Sequence, residues 1–466
     1  MQYHGGVMTA HDQIAYQNSP ILSTHPGRLF AKAKLAGLRP VPEDRCRVLE
    51  LGSNAGENLI AMAVALPSAE FVGVELAEKP VRRGRQTIAA LGLTNIRLER
   101  MDVLEIGADF GRFDYIIAHG LYSWTPPAAR DRILAVARRH MGPQGVTLVS
   151  YNTFPGSHLR MMQREMLLHY LANEENPRRR LDRAREFLKV LAMGRPEMDT
   201  LEAAVAAQAE ETAERTDSAL YHDDLCDHFE PVYFHQFVAH AARHDLQYLG
   251  DASIMDSLPQ NLAPETMAAV KEMAAGDRLA EQQYLDFVRT RRFRRTLLCH
   301  AEVNLGEGSA EGCHASSYAR EKEDGVFISK SGLRMTTTHP APIGYLRRLS
   351  SLLPHSEPVS AGDAALALDF YKMGMIELRG SPSAARAAGE KPCVSAFARL
   401  QVERGDQQVT SLGHLSVEIA DESARKLLQL LDGTRDREQL CRELRCSAEH
   451  LEQGLSHLAR CELLAG

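Results

Sequence analysis

Residues 50 to 58 read Glu50-Leu51-Gly52-Ser53-Asn54-Ala55-Gly56-Glu57-Asn58, a carboxylate and a small-residue turn between an apolar pentad and a helix-forming run. Such a turn, at the carboxyl end of a strand, lets backbone N–H groups and the next helix N-terminus approach a nucleotide closely. Asn54 and Glu57 stand where the dinucleotide fingerprint needs glycine, so the turn does not read as a dinucleotide site. Two more carboxylates close the next two apolar strands, Glu75 followed by Leu76 and Asp102 followed by Val103. Each alone is an ordinary solvated strand end. Together they describe one crevice, because ligands of an open parallel sheet bind at the carboxyl edges of adjacent strands. There Glu50 can face a cation, Glu75 can accept both ribose hydroxyls, and Asp102 can accept from an adenine amino group. His119 closes a fourth strand at the same edge.

A nucleoside carrying its own positive charge fits this set, and S-adenosylmethionine is such a ligand. The cofactor residues expected are Glu50, Gly52, Ser53, Asn54, Ala55, Gly56, Asn58, Glu75, Leu76, Asp102, Val103 and His119. Methyl transfer is an in-line displacement at a sulfonium carbon, where aligning the reactants supplies most of the acceleration and no metal is needed. A lysine acceptor, with an ordinary pKa of about 10.4, must first shed a proton. A dry aromatic pocket helps by desolvation and suits a cation. His119, Tyr122, Trp124, Tyr151 and Asn152 follow the fourth and fifth strands and are expected to shape that pocket, with Phe154 nearby. His119 is expected to contact the cofactor or accept a proton. The plain alternative for each is a packed or capping side chain. His222, Asp223, Asp224, Asp227 and His228, and then His235, His240 and His244, read as polar helix surface, and no metal is expected; only His240 and His244 share a helix face.

These residues need a frame. Strands are expected at 47–51, 71–76, 96–103, 113–120 and 145–152, separated by helices at 55–66, 81–91 and from Thr125-Pro126 to His140. Strands alternating with helices of this length mean a parallel sheet covered on both faces. From 157 to about 230 the periodicity is helical throughout, and strand signals return at 246–249 and 292–300. The expected division is a cover segment at 1–40, in which Tyr16 and His25 lie over the cofactor, and a catalytic domain at 41–303. The latter has a helical insertion at about 157–230 and a resumed sheet at about 231–303. A middle winged-helix-like module follows at 304–385 and a C-terminal one at 391–466, with 380–391 a linker by composition.

The whole chain narrows the function further. Its 466 residues exceed one compact core, and 44% hydrophobic with 25% charged residues is ordinary for a globular protein. A net charge of −7 argues against a nucleic-acid binder, so the basic clusters at 178–185 and 289–295 read as solvated faces. The 8 cysteines contain no CxxC pair, which suggests reduced thiols in a cytoplasm. No secretory signal or bilayer-length apolar run is seen, so a cytoplasmic protein without membrane insertion is expected.

ELGSNAGENL, FVGVEL, MDV, FDYIIAHGLYSW and VSYNTFPG together resemble the class I S-adenosylmethionine-dependent methyltransferases of the protein-lysine methyltransferase group. EQQYLDFVRTRRFRRTLLCH resembles the regulatory domain found in that group. The resemblance implies a Rossmann-like α/β sheet with a helical insertion, followed by C-terminal winged-helix-like modules. It also implies S-adenosylmethionine as cofactor and a protein lysine as acceptor, hence a protein partner. Rival expectations are a small-molecule methyltransferase and a non-catalytic cofactor-binding regulator.

Overall fold

The computed structural model describes residues 13, 14, 16, 19–253 and 262–466. Seven strands form the main sheet: β1 (Arg47–Leu51), β2 (Glu70–Glu75), β3 (Ile96–Arg100), β4 (Phe113–Ala118), β5 (Met141–Asn152), β6 (Leu246–Asp251) and β7 (Phe293–His300). Their spatial order is β3-β2-β1-β4-β5-β7-β6. The first five run parallel, and β7 lies antiparallel between β5 and β6. The sheet resumes after the insertion, as the sequence suggested.

Burial on both faces explains the near-continuous apolar strands. Val48, Tyr115 and Ile117 point into one core with Leu59 and Ile60 of the helix Glu57–Ala65. Leu49, Leu51, Ile116 and Tyr151 point into the other with Ile133 and Leu134 of the helix Pro127–His140. The order reverses between β1 and β4, so a crevice opens where Leu51 and Ala118 end.

The insertion comprises the helices Ser157–Tyr170, Pro177–Met193 and Thr200–Ala213, closing on a π-helical turn, Leu220–Asp224. Leu167, Leu171, Leu181, Leu188 and Leu220 give it a small core of its own. The middle region does not stand apart. Its Tyr345, Leu346 and Phe370 share one core with Leu29 and Phe30 of the helix Pro26–Leu35. The C-terminal region has a separate core around Val394, Leu428, Leu440, Leu451 and Leu463.

Two readings from composition are corrected. Arg294, within the basic run at 289–295, is not on a solvated face: it is fully buried, donating to Asp286 at 2.7 and 2.8 Å and to Asp251 at 3.0 Å. Its planar fork matches two carboxylates on other elements, Asp286 eight residues before it and Asp251 43 residues before it. The stretch 380–391 is not a free linker, since Gly380 and Ser381 donate their N–H groups to the buried Glu43 carboxylate and Ser383 and Ala385 are buried. The run at 178–185 does meet solvent, with Arg178 paired to Asp217 and Arg179 to Glu174. All eight cysteines are free, and no helix among the described residues is long and apolar enough to cross a membrane.

Candidate active site

The loop leaving β1 is wound tightly. Gly52, Asn54 and Gly56 all have positive φ (74°, 50° and 75°), a conformation glycine adopts freely and asparagine better than most residues. The next elements approach so closely that a Cβ on Gly84 would meet the Ala55 carbonyl at 2.3 Å and one on Gly73 would meet Ser53 Oγ at 2.6 Å. The sequence reading had no signal for these two glycines.

The loop binds differently from expectation. Its N–H groups are largely used within the protein: Gly52 and Ser53 donate to the Val74 carbonyl, Gly56 to Ser53, and Asn54 to Glu75 Oε2 at 3.0 Å. What the loop leaves unmet are acceptors. Glu50 Oε2, Asn54 Oδ1 and Ser53 Oγ are buried without a hydrogen-bond partner among the described residues. Burial pushes the Glu50 carboxyl up to about 8, with neighbouring Glu57 and Glu75 adding to the rise and the Asn58 hydrogen bond opposing it. Buried acceptors without donors are costly, so the place is suited to a ligand that brings donors and positive charge. An ammonium and ribose hydroxyls are such groups. The donor and acceptor chemistry present therefore fits S-adenosylmethionine.

The other cofactor candidates divide. Glu75 lies at the mouth and braces the loop, accepting from Asn54 and, at 2.9 Å, from Ala77. Leu76 is exposed beside it, as an adenine-covering side chain would be. Asp102 caps the turn Val103–Glu105 by accepting from Leu104 N–H at 2.9 Å, leaving lone pairs on the second oxygen. Ala55 is buried in the turn. Asn58 does not face the crevice. It is wholly buried and its amide is saturated: Nδ2 donates to Glu50 Oε1 at 2.8 Å and to Thr24 Oγ1 at 3.0 Å, while Oδ1 accepts from Ile21 N–H at 3.0 Å.

The acceptor candidates separate in the same way. Tyr122 and Tyr151 are core residues rather than pocket walls. Tyr151 stacks on Phe237 with centroids 4.1 Å apart and shares a hydrogen bond with Thr296 at 3.0 Å. The Tyr122 hydroxyl meets His240 Nδ1 at 2.7 Å. Asn152 donates its backbone N–H to Ser123 Oγ at 2.8 Å, and its Oδ1 is buried without a partner among the described residues. Trp124 stacks on Phe229 at 4.6 Å, with the Arg160 guanidinium 5.4 Å over its face. His119 is half-buried, and desolvation with Arg295 nearby lowers its pKa to about 4. A base so weak is poorly matched to an ammonium proton; its Nδ1 is buried without a hydrogen-bond partner among the described residues, and its ring packs edge-on against Phe293 at 5.9 Å.

The carboxylate–imidazole stretch at 222–228 is split: His222 and Asp224 are buried and Asp223 half-buried in an interior network, while Asp227 and His228 lie on the surface as expected. Asp224 is buried and holds Arg160 at 2.9 Å and Arg215 at 3.0 Å. Asp223 beside it is raised by burial to about 6. The described part of the leading segment reaches the same place: Tyr16 accepts from Asn54 Nδ2 at 3.2 Å through its carbonyl, and its ring packs on His222 at 5.3 Å. His25 instead caps the helix Pro26–Leu35, accepting from Gly27 N–H. Residues 1–12 of the expected cover lie outside the described residues. His240 and His244 both hydrogen-bond Asp131, at 3.2 and 2.8 Å.

Comparison with known proteins agrees with this geometry. Residues 48–145 match a methyltransferase domain, 216–300 a predicted methyltransferase regulatory domain, and 390–460 the PKMT C-terminal winged helix domain. An uncharacterized protein of Rickettsia prowazekii is 36% identical over 296 residues, 63% of this chain and 53% of the relative. A second from that organism is 29% identical over 247 residues, 52% of this chain and 96% of the relative. The chain spans about half the length of the first. The structure of PKMT2 from Rickettsia typhi superposes with a TM-score of 0.81 at 24% identity, over 97% of this chain and 100% of that one, and its AdoHcy complex gives 0.81 at 23%. At such identity the likeness is one of fold. The sequence expectations of a Rossmann-like methyltransferase domain, an S-adenosylmethionine cofactor and a C-terminal winged helix are borne out.

Proposed function

We propose that the chain is an S-adenosylmethionine-dependent methyltransferase acting on protein lysine amines. The observation that carries the cofactor half is the buried carboxylate Glu50 with one oxygen unpartnered at the β1 turn, inside a segment that matches a methyltransferase domain. The lysine half is supported by the regulatory and winged-helix matches and by the names of the structural relatives. When bound, S-adenosylmethionine supplies a methyl group activated on a sulfonium and open to in-line attack.

The protein's part is to bind, align and dry. Glu50 neutralises the cationic end of the cofactor, Glu75 receives the ribose hydroxyls, and Leu76 and Val103 cover the base. Asn152 Oδ1 accepts a hydrogen bond from the incoming amine and orients its lone pair. Trp124, Phe229 and Arg160 wall the approach, while Asp223, raised by burial to about 6 and so still ionised at neutral pH, draws in the acceptor's positive charge. The domain boundaries proposed are those of the sequence reading, with the helical insertion and the C-terminal regions gripping the protein acceptor. The decisive experiment is incubation of the purified protein with methyl-labelled cofactor and a soluble lysate. Label at lysines in protein bands is expected; label only in small metabolites, or cofactor binding without turnover, overturns the reading.

A further inference from the structure

His414 lies 356 residues from Asn58 in sequence, yet its Nε2 sits 2.8 Å from Asn58 Oδ1. It occupies a left-handed backbone position, φ 65°, in the loop between the strands Gln408–Thr410 and Ser416–Glu418, and is 2% exposed. The orientation of this contact is fixed. Asn58 Oδ1 already accepts from the Ile21 N–H, which can only donate, so Nδ2 must be the atom facing Glu50. His414 Nε2 must then carry the proton and donate. His25 packs 5.4 Å away, and burial with Arg28 and Arg379 nearby lowers His414 to about 3, so the ring is neutral across the physiological range.

The chain of contacts therefore runs from the C-terminal module to the carboxylate expected to hold the cofactor's positive end: His414 to Asn58, Asn58 to Glu50 Oε1, with Oε2 left open. The module is locked in place around it. Glu462 binds Arg379 and Ser383 in a buried cluster, and Arg404 donates to Thr87 Oγ1 at 2.8 Å on the catalytic domain. We infer that the C-terminal winged-helix module completes the cofactor site, with His414 a positioning residue that fixes Glu50 through Asn58. This rests on the proposed cofactor reading. The Ile21 N–H sets which way round the amide lies, and the imidazole is a further donor holding its oxygen; without it the amide can shift from the position in which Nδ2 meets Glu50, and the carboxylate loses its register and part of its stabilisation as an anion.

The test uses the full chain and AdoHcy titrated by calorimetry across pH 6–9. His414→Leu fills the space without a donor, and His414→Gln restores an amide N–H. Arg404→Ala, which loosens the module without touching Asn58, is the control. The expected result is on the order of tenfold weaker AdoHcy binding in His414→Leu, near-complete recovery in His414→Gln, and little change in Arg404→Ala beyond a lower melting temperature. The pH midpoint of binding should also rise in His414→Leu, because Glu50, with Glu57 and Glu75 close by, becomes harder to ionise. A purely structural role would lower melting temperature in all three and leave affinity and midpoint where they were, and that result overturns the inference. If His414→Leu does not fold, a folded His414→Gln with tenfold weaker binding also overturns it, and one that binds as wild type supports it. Failure of the wild-type protein to bind AdoHcy at all sinks the cofactor reading, and the inference with it.

Discussion

At the scale of single residues, the structure redirects the chemistry from hydroxyls to carboxylates and amides. Tyr151 was a candidate because it follows a strand at the crevice, but it alternates onto the face that packs on Phe237. Tyr151→Phe should therefore leave turnover within about threefold and cost about 1 kcal/mol of stability for one lost hydrogen bond, checked by kinetics and urea unfolding. Asn152→Ala, by contrast, should lower kcat at least tenfold with melting temperature little changed. Glu50 makes a sharper case. Burial raises its pKa from 4.5 to about 8, so the folded protein holds a proton that the unfolded chain has shed. Its contribution to the stability of the ligand-free protein thus declines as pH climbs through that interval. Glu50→Gln should flatten this decline in melting curves between pH 5 and 8, and raise stability at pH 8. The same change should weaken AdoHcy binding about 10- to 100-fold, since a hydrogen bond to a charged group contributes about 1.5–3 kcal/mol.

At the scale of elements, the site depends on strands that return after a long insertion. β7 lies between β5 and β6, and Arg294 at its start ties β6 to the helix Arg278–Arg289 through Asp251 and Asp286. Removing one partner of a buried ion network leaves uncompensated charge and costs about 3–5 kcal/mol. Arg294→Met should lower the urea midpoint by that measure and loosen β5, which carries Asn152, so that turnover falls with stability. An Arg178→Met control on the exposed pair with Asp217 should change neither, because surface pairs contribute about 0–1 kcal/mol. The insertion is similarly anchored: Asp224 on the π-helical turn holds Arg160, which in turn lies over Trp124.

At the scale of the molecule, the regions are joined by buried polar contacts rather than by linkers. Glu43 sits before β1, is 1% exposed, and receives the N–H groups of Gly380 and Ser381 more than three hundred residues on. Glu43→Ala should release the segment at 380–391, visible as faster limited proteolysis there while the catalytic-domain core stays protected. The shared core of the middle region with the helix Pro26–Leu35 predicts a single unfolding transition for these two parts. The C-terminal core around Leu451 is separate, but the region is coupled to the rest by Phe397 and Leu412, which pack into the main core, as well as by polar docking contacts such as Arg404 to Thr87.

What the sequence determined by itself was local or periodic. The strand–turn–helix at Glu50, the alternation of strands and helices, the helical insertion and the return of the sheet are all written within windows of a few to twenty residues, where period and turn chemistry leave few choices. The carboxylates Glu50, Glu75 and Asp102 could be placed at one edge because strand ends in a parallel sheet must lie side by side. The tertiary structure alone decided which face each side chain took. It turned Tyr122 and Tyr151 into core, made Arg294 a buried clasp, and set His414 against Asn58 behind the loop leaving β1. Those outcomes rest on pairings between residues tens to hundreds of positions apart. A buried polar group must find its partner wherever the fold brings one, and no local pattern announces where that will be.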